Sequence, residues 1–96
     1  MLPIAEFEKR FRALLEELDG VAEDAEDEDL EDMNAELEDA LFMLSEIDPK
    51  SDEAAEELAD ALEEFEALRD DYARRPDTKD IADRLGMLIQ MARGNA

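Results

Sequence analysis

Hydrophobic residues recur along most of the chain at spacings of three and four, which is the period of one buried face of an α-helix. No stretch alternates with the period of two that is typical of a strand. Short connections between the periodic stretches favour antiparallel neighbours. The pattern therefore predicts an all-α fold, a small antiparallel bundle of three to four amphipathic helices in a single domain, 1–96. The helices are predicted at about 3–19, 25–47, 51–75 and 78–93.

Local signals predict where these helices begin and end. Pro3 suits a first helical position, and Gly20 is predicted to be a left-handed C-terminal cap after Asp19. The second helix is predicted to end at Asp48-Pro49, because the residue before a proline disfavours the helical conformation. Ser51 is predicted to be the N-cap of the third helix, followed by acidic residues that suit a first turn.

The fourth predicted helix differs from the others, because Met87, Ile89 and Met91 place apolar groups on additional faces. Such a helix is either wrapped by the first three or offered to another subunit. These three residues are the candidate oligomer interface, and a homodimer through them is one prediction.

Charge changes the picture, because the net charge of −21 lies in the middle of the chain. Glu23 to Asp32 contains eight acidic residues in ten, and the start of the second helix is predicted between Ala22 and Glu28. From residue 13 to residue 68 the single base is Lys50. In the flanks, each of several bases follows an acid by four residues, the favoured order for a helical ion pair. These pairs are Glu6/Arg10, Glu8/Arg12, Asp70/Arg74, Asp71/Arg75 and Asp80/Arg84.

Composition argues against catalysis and against a cofactor. The 96 residues contain no His and no Cys, so the usual general base, proton shuttle and thiol are missing. A Ca²⁺ loop beginning at Asp27 would need glycine where Asp32 stands, and it would interrupt the helical stripe of 30–37. The predictions are therefore no enzyme, no catalytic residue, no cofactor and no metal site.

The acidity also limits the partners. Like charge disfavours direct binding to nucleic acid or to an anionic membrane, so a partner should be a basic protein. No apolar run is long enough to span a membrane and no secretion signal opens the chain, which predicts a cytoplasmic location.

One function that fits such a field is mimicry of DNA, with carboxylates in place of phosphates. At about 1.5 Å per residue the third predicted helix is roughly 37 Å long, and duplex DNA of that length carries about 22 charges. In charge and size the chain is similar to phage- and plasmid-borne DNA-mimic inhibitors of restriction enzymes and CRISPR effectors, although no motif assigns it to one family. The resemblance implies an inhibitor that occludes the basic groove of a nucleic-acid-binding protein. The predicted partner-binding residues are Glu23, Asp24, Glu26, Asp27, Glu28, Asp29, Glu53, Glu56, Glu57, Asp60, Glu63 and Glu64.

The alternative is a small helical module for protein–protein interaction or dimerisation, whose acidity serves only solubility. Under that interpretation the function lies in the apolar stripes, and the fourth helix is the feature that favours it.

Overall fold

The computed structural model describes residues 4–94, and these fold into four α-helices without a strand. The all-α bundle that the hydrophobic periodicity predicts is confirmed. Pro3, the predicted first helical residue, lies outside the described residues. The helices are α1 (Ile4–Ala25), α2 (Glu28–Ser45), α3 (Ala54–Ala73) and α4 (Lys79–Gly94).

The four helices occupy the corners of a square. Each packs on its neighbours in the chain, and α4 also packs back on α1, which closes the bundle. The short connections make successive helices antiparallel. The molecule measures 42 × 21 × 18 Å along its principal axes, so it is a rod rather than a sphere. In this arrangement α2 lies diagonally opposite α4.

The core is formed by the predicted apolar stripes, and an aromatic pair lies at its centre. The rings of Phe11 in α1 and Phe65 in α3 stack with centroids 4.3 Å apart and planes 10° from parallel. The two rings connect α1 and α3, which lie at diagonally opposite corners of the square and whose backbones are not in contact. Stacked aromatic rings contribute about 0.5–1.5 kcal/mol beyond the area that they bury. The pair therefore helps to hold the two helices that share no direct backbone packing.

The first helix is longer than predicted. The prediction of a left-handed cap at Gly20 was wrong, because no glycine among residues 4–94 has a positive φ and α1 continues to Ala25. Ala22 is buried four residues after Leu18, so the apolar stripe continues through this turn. A glycine within a helix costs about 1 kcal/mol relative to alanine. Packing of the last turn offsets that cost.

The left-handed residue that ends α1 is instead Glu26, with φ of 51°. The N–H of Asp27 donates to the carbonyl of Ala22 at 3.3 Å, which is the six-to-one bond of a Schellman motif. Asp27 then begins the next helix, because its side chain accepts the N–H of Leu30 at 3.2 Å. The helix start therefore falls at Glu28, within the predicted window.

The third helix is shorter than predicted, and Ser51 is not its N-cap. Ser51 Oγ accepts the N–H of Glu53 at 3.2 Å within a turn, and α3 begins at Ala54. Pro49 and the turn after it keep the chain out of the helical conformation before that point. With 20 residues α3 is about 30 Å long, and α1, with 22 residues, is the longest helix.

Candidate functional site

Acidic charge is concentrated on two neighbouring helices. The sequence of α2 contains seven acidic residues and no base, and that of α3 contains eight acidic residues and the base Arg69. By contrast, α4 contains two acidic residues and three bases. Because α2 and α4 lie at opposite corners, the bundle has a strongly acidic side and a nearly neutral side. The surface formed by α2, α3 and their connection, residues 28–73, is called the acidic face below.

The bases of α4 join this helix to both of its neighbours. Arg84 makes two hydrogen bonds to Glu17 of α1, at 2.8 and 3.0 Å. Arg93 pairs with Glu66 of α3 at 2.7 Å. The bond to Glu17 raises the pKa of the Arg84 guanidinium above its ordinary value. Two of the three bases of α4 thus pair with acids of adjacent helices.

Some of the ion pairs predicted within helices form, and others are replaced. Glu6/Arg10 and Glu8/Arg12 lie 3.5 and 3.4 Å apart as predicted. Arg74 instead pairs weakly with Asp71 at 3.8 Å. The remaining two arginines leave the predicted partners. Tertiary packing brings Glu17 to Arg84 and Asp27 to Arg75, and Arg75 also pairs with Asp77, two residues further along the chain.

The carboxylates of α2 project into solvent in rows. Glu28, Asp32, Asp39 and the C-cap residue Glu46 are exposed, and their spacings of four, seven and seven residues place them on one stripe of the helix. Neighbours seven residues apart lie about 10.5 Å apart along the axis. An equivalent row on α3 is formed by Glu56 and Glu63, both exposed.

Two grooves border α2, and both are lined by acids. The groove between α1 and α2 contains Asp19, Glu23, Glu31 and Glu38, with Asn34 among its lining residues. The groove between α2 and α3 combines carboxylates with apolar residues. Its lining residues are Met43, Glu46, Ile47, Glu57 and Asp60.

The predicted partner-binding residues fall into two groups at different heights of the bundle. Glu23 and Asp24 lie in the last turn of α1, Glu26 and Asp27 in the connection, and Glu28 and Asp29 in the first turn of α2. The second group begins at the opposite end, where the chain enters α3, and reaches its middle. This group is Glu53, Glu56, Glu57, Asp60, Glu63 and Glu64.

Acids of α2 that follow Asp29 in the chain connect these two groups. Asp32, Glu36 and Asp39 are exposed along the helix that packs on α3. None of these three is among the partner-binding residues predicted from the sequence, which end at Asp29 and resume at Glu53. The helical period of α2 was the available signal, because it places further acids along the same helix toward its C-terminal end.

Asp27 has a structural role that sequence analysis did not find. Its carboxylate accepts the guanidinium of Arg75, and Arg75 also binds Asp77 at 3.1 Å. The bond to Arg75, followed by that to the Leu30 N–H, lowers the pKa of the Asp27 carboxyl. The bonds to Asp77 and then to Asp27 raise the pKa of Arg75. Asp27 thus joins the α1–α2 connection to the α3–α4 connection, and its charge is already compensated.

The predicted oligomer interface is only partly exposed. Ile89 is 2% exposed, so its assignment to an interface was wrong. It lies four residues after the buried Leu85 and therefore belongs to the core stripe of α4. Met87 and Met91 are 63% and 37% exposed on the other side of the helix.

Comparisons with protein-family models, with curated proteins and with solved structures gave no match. Within residues 4–94, no three side chains of His, Cys, Asp or Glu are grouped closely enough to hold a metal ion. None of the helices in the described part of the chain is long and apolar enough to cross a membrane.

Proposed function

We propose that this chain is a DNA-mimic inhibitor that occupies the basic nucleic-acid-binding groove of a target protein, as anti-restriction and anti-CRISPR proteins do. The observation that carries the proposal is the charge of the acidic face. Residues 28–73 contain nineteen acidic residues and two bases, a net charge of −17. The two helices are about 30 Å long, and duplex DNA of that length carries about 18 charges.

The one-sided distribution supports a binding role over solubility alone. A net charge of about 2–8, with both signs intermixed, is enough to keep a small domain soluble. Here the bases lie toward α4 and the ends of the bundle, while α2 has none. Such separation of charge gives a field that attracts and orients a basic partner.

The mechanism is occlusion without chemistry. Carboxylates of α2 and α3 would pair with the lysines and arginines that otherwise hold phosphates, so target-bound inhibitor and DNA exclude each other. Because these contacts are charged and near the surface, the affinity should fall steeply as salt is added.

A pair of matched variants tests the proposal. Asp32→Lys with Asp39→Lys reverses two exposed acids of the acidic face, and Asp80→Lys with Asp83→Lys makes the same change of charge on α4. The immobilised chain is exposed to a host-cell lysate containing added lysozyme, a basic protein without a groove dedicated to nucleic acid. We expect the wild type to retain one nucleic-acid-binding protein that duplex DNA displaces.

The α2 variant should lose that protein, and the α4 variant should keep it. If the wild type and both variants instead all retain lysozyme and many other basic proteins equally, that result would favour the alternative in which the acidity serves only solubility. Circular dichroism of each variant checks that the helix content is unchanged.

A second candidate function is a dimerisation module, which the exposure of Met87 favours. This large apolar side chain is 63% exposed on the helix whose charges nearly balance. Two copies could therefore pair through α4 without placing their acidic faces against each other. Met87→Lys should dissociate such a dimer, and light scattering that gives the same mass before and after the substitution would exclude this interface.

A further inference from the structure

The acidic face contains a large apolar feature that the core does not use. Phe42 and Met43, adjacent in α2, are 62% and 43% exposed. They lie between the core residues Leu41 and Leu44 but do not belong to the core cluster themselves. An exposed aromatic ring beside an exposed methionine is characteristic of residues that anchor protein–protein contacts.

Carboxylates surround this pair on both sides. On α2 the helical neighbours of Phe42 are Glu38, Asp39 and Glu46, at three or four residues' distance. On α3, Glu57 and Asp60 line a groove together with Met43 and Ile47. Phe42 and Met43 are thus two exposed apolar side chains, adjacent in the chain, with carboxylates near each of them.

This chemistry selects one occupant. A second copy of the chain would place an acidic face against an acidic face, and nucleic acid or an anionic membrane would be repelled in the same way. A long cationic side chain fits, because its methylene stem can lie on Met43 and Ile47 while its charged end reaches the carboxylates. Arginine fits better than lysine, since its planar guanidinium stacks on an aromatic ring and binds a carboxylate with two parallel bonds.

We propose that Phe42 and Met43 form the apolar anchor for an arginine-bearing segment of the basic partner. This inference rests on the proposed function and adds to it a contact that involves no carboxylate. It separates recognition into two parts, an ionic part distributed over the acidic face and an aromatic part located at one end of α2.

The test uses the full chain with oligoarginine and oligolysine peptides of equal length, whose affinities are measured by calorimetry at graded salt. We expect the wild type to bind oligoarginine more tightly. Phe42→Ala should reduce this preference about three-fold, the size of an exposed cation–π contact. The dependence on salt should stay the same, because no ionic contact is removed. Asp32→Lys with Asp39→Lys should instead weaken both peptides and reduce the dependence on salt.

Met87→Ala is the matched control, because Met87 is as exposed as Phe42 but lies on α4. This variant should keep the preference for oligoarginine. In a chain labelled at the methionine methyl groups, oligoarginine should shift the resonance of Met43 and leave that of Met87 unchanged.

Two failures can be told apart. If Phe42→Ala keeps the full preference for oligoarginine, or if the Met43 methyl does not shift, the anchor is refuted while the ionic proposal stands. If the two α2 reversals leave binding of both peptides unchanged, the acidic face is not the binding surface and the proposed function fails with the anchor.

Discussion

The hydroxyl of Tyr72 in α3 donates a hydrogen bond to Oδ1 of Asn34 in α2 across 2.9 Å, with both side chains buried. The amide of Asn34 in turn donates to Asp19 of α1 at 3.1 Å, so the chain of bonds joins three helices. Burial, with smaller effects from Asp19 and Glu36, raises the pKa of Tyr72 well above its ordinary value. Apolar stripes allow helices to slide, whereas a buried hydrogen bond fixes their register.

Tyr72→Phe should therefore destabilise the bundle. Removing the hydroxyl leaves the buried Oδ1 of Asn34 without its donor, which costs about 1–3 kcal/mol of unfolding free energy. Urea denaturation followed by circular dichroism measures this. A loss within the range of an ordinary surface substitution, about 0.5 kcal/mol, would show that water replaces the donor.

Removing both partners gives the control for that experiment. In Tyr72→Phe with Asn34→Leu no buried polar group lacks a partner, since Asp19 is exposed to solvent. Replacing both members of a buried hydrogen bond by apolar groups can be nearly neutral. The double variant should accordingly be more stable than Tyr72→Phe alone.

The fold was predictable from the sequence because its apolar stripes are regular. The positions of Phe11, Leu41 and Phe65 follow from spacing alone, and all three are buried. Helix ends were less predictable, since they depend on which of several local signals agrees with the packing. Gly20 is a strong local signal for a helix end, but the burial of Ala22 overrides it.

Gly20→Ala should stabilise the protein. Gly20 is exposed within α1, its φ is negative, and a β-carbon built there would meet nothing within 4 Å. Alanine in a helix interior is favoured over glycine by about 0.5–1 kcal/mol. Thermal denaturation should show a raised Tm. A lowered Tm would mean that the residue adopts the left-handed conformation of a C-terminal cap in solution.

Gly86→Ala is the matched comparison in α4. There a β-carbon would lie 3.0 Å from Cδ of Arg69, so that side chain must move. The gain in helix propensity is offset by this contact, and the change in Tm should be smaller than for Gly20→Ala or of opposite sign.

Acid should weaken the link between the two connections at one end of the bundle. Arg75 lowers the pKa of Asp27 below the ordinary 3.8, so the folded state binds this proton less readily than the unfolded chain. The stabilisation by the pair is complete above pH 3.8 and is lost as the pH falls through the lower pKa of the folded state. Asp27→Asn keeps an N-cap residue but removes the charge.

The expected result is a stability difference between the wild type and Asp27→Asn that is present at neutral pH and disappears in acid. Asp24→Asn is the control, because Asp24 has no ion pair within residues 4–94. A difference that is independent of pH would show that the cap, and not the ion pair with Arg75, accounts for the role of Asp27.

The candidate site was predictable in its chemistry and not in its layout. The sequence alone showed that the middle of the chain is strongly acidic. Two acidic stretches of sequence do not reveal which of their side chains lie on the same face of the folded protein. The contact between α2 and α3 brings Glu36 and Asp39 into the surface. The ion pair of Arg75 with Asp27, which are distant in the chain, compensates the charge of one of the predicted binding residues.

Reversing acids of α2 should stabilise the fold at low salt, because the like charges of this helix repel one another. Asp32 has acidic neighbours at three or four residues in Glu28, Asp29 and Glu36, and Asp39 has Glu36. Each like-charged pair of this kind costs about 0.2–0.5 kcal/mol, and the opposite-charged pair that replaces it contributes a similar amount. Asp32→Lys with Asp39→Lys should therefore raise the unfolding free energy by about 2–4 kcal/mol. The gain should shrink as added salt screens the charges. Urea titrations at low and high salt measure both effects.

A variant that is more stable than the wild type and yet fails to bind the basic partner would indicate that the acids of α2 serve binding at the expense of stability. Unchanged or reduced stability at low salt would mean that the carboxylates are too well solvated to repel one another.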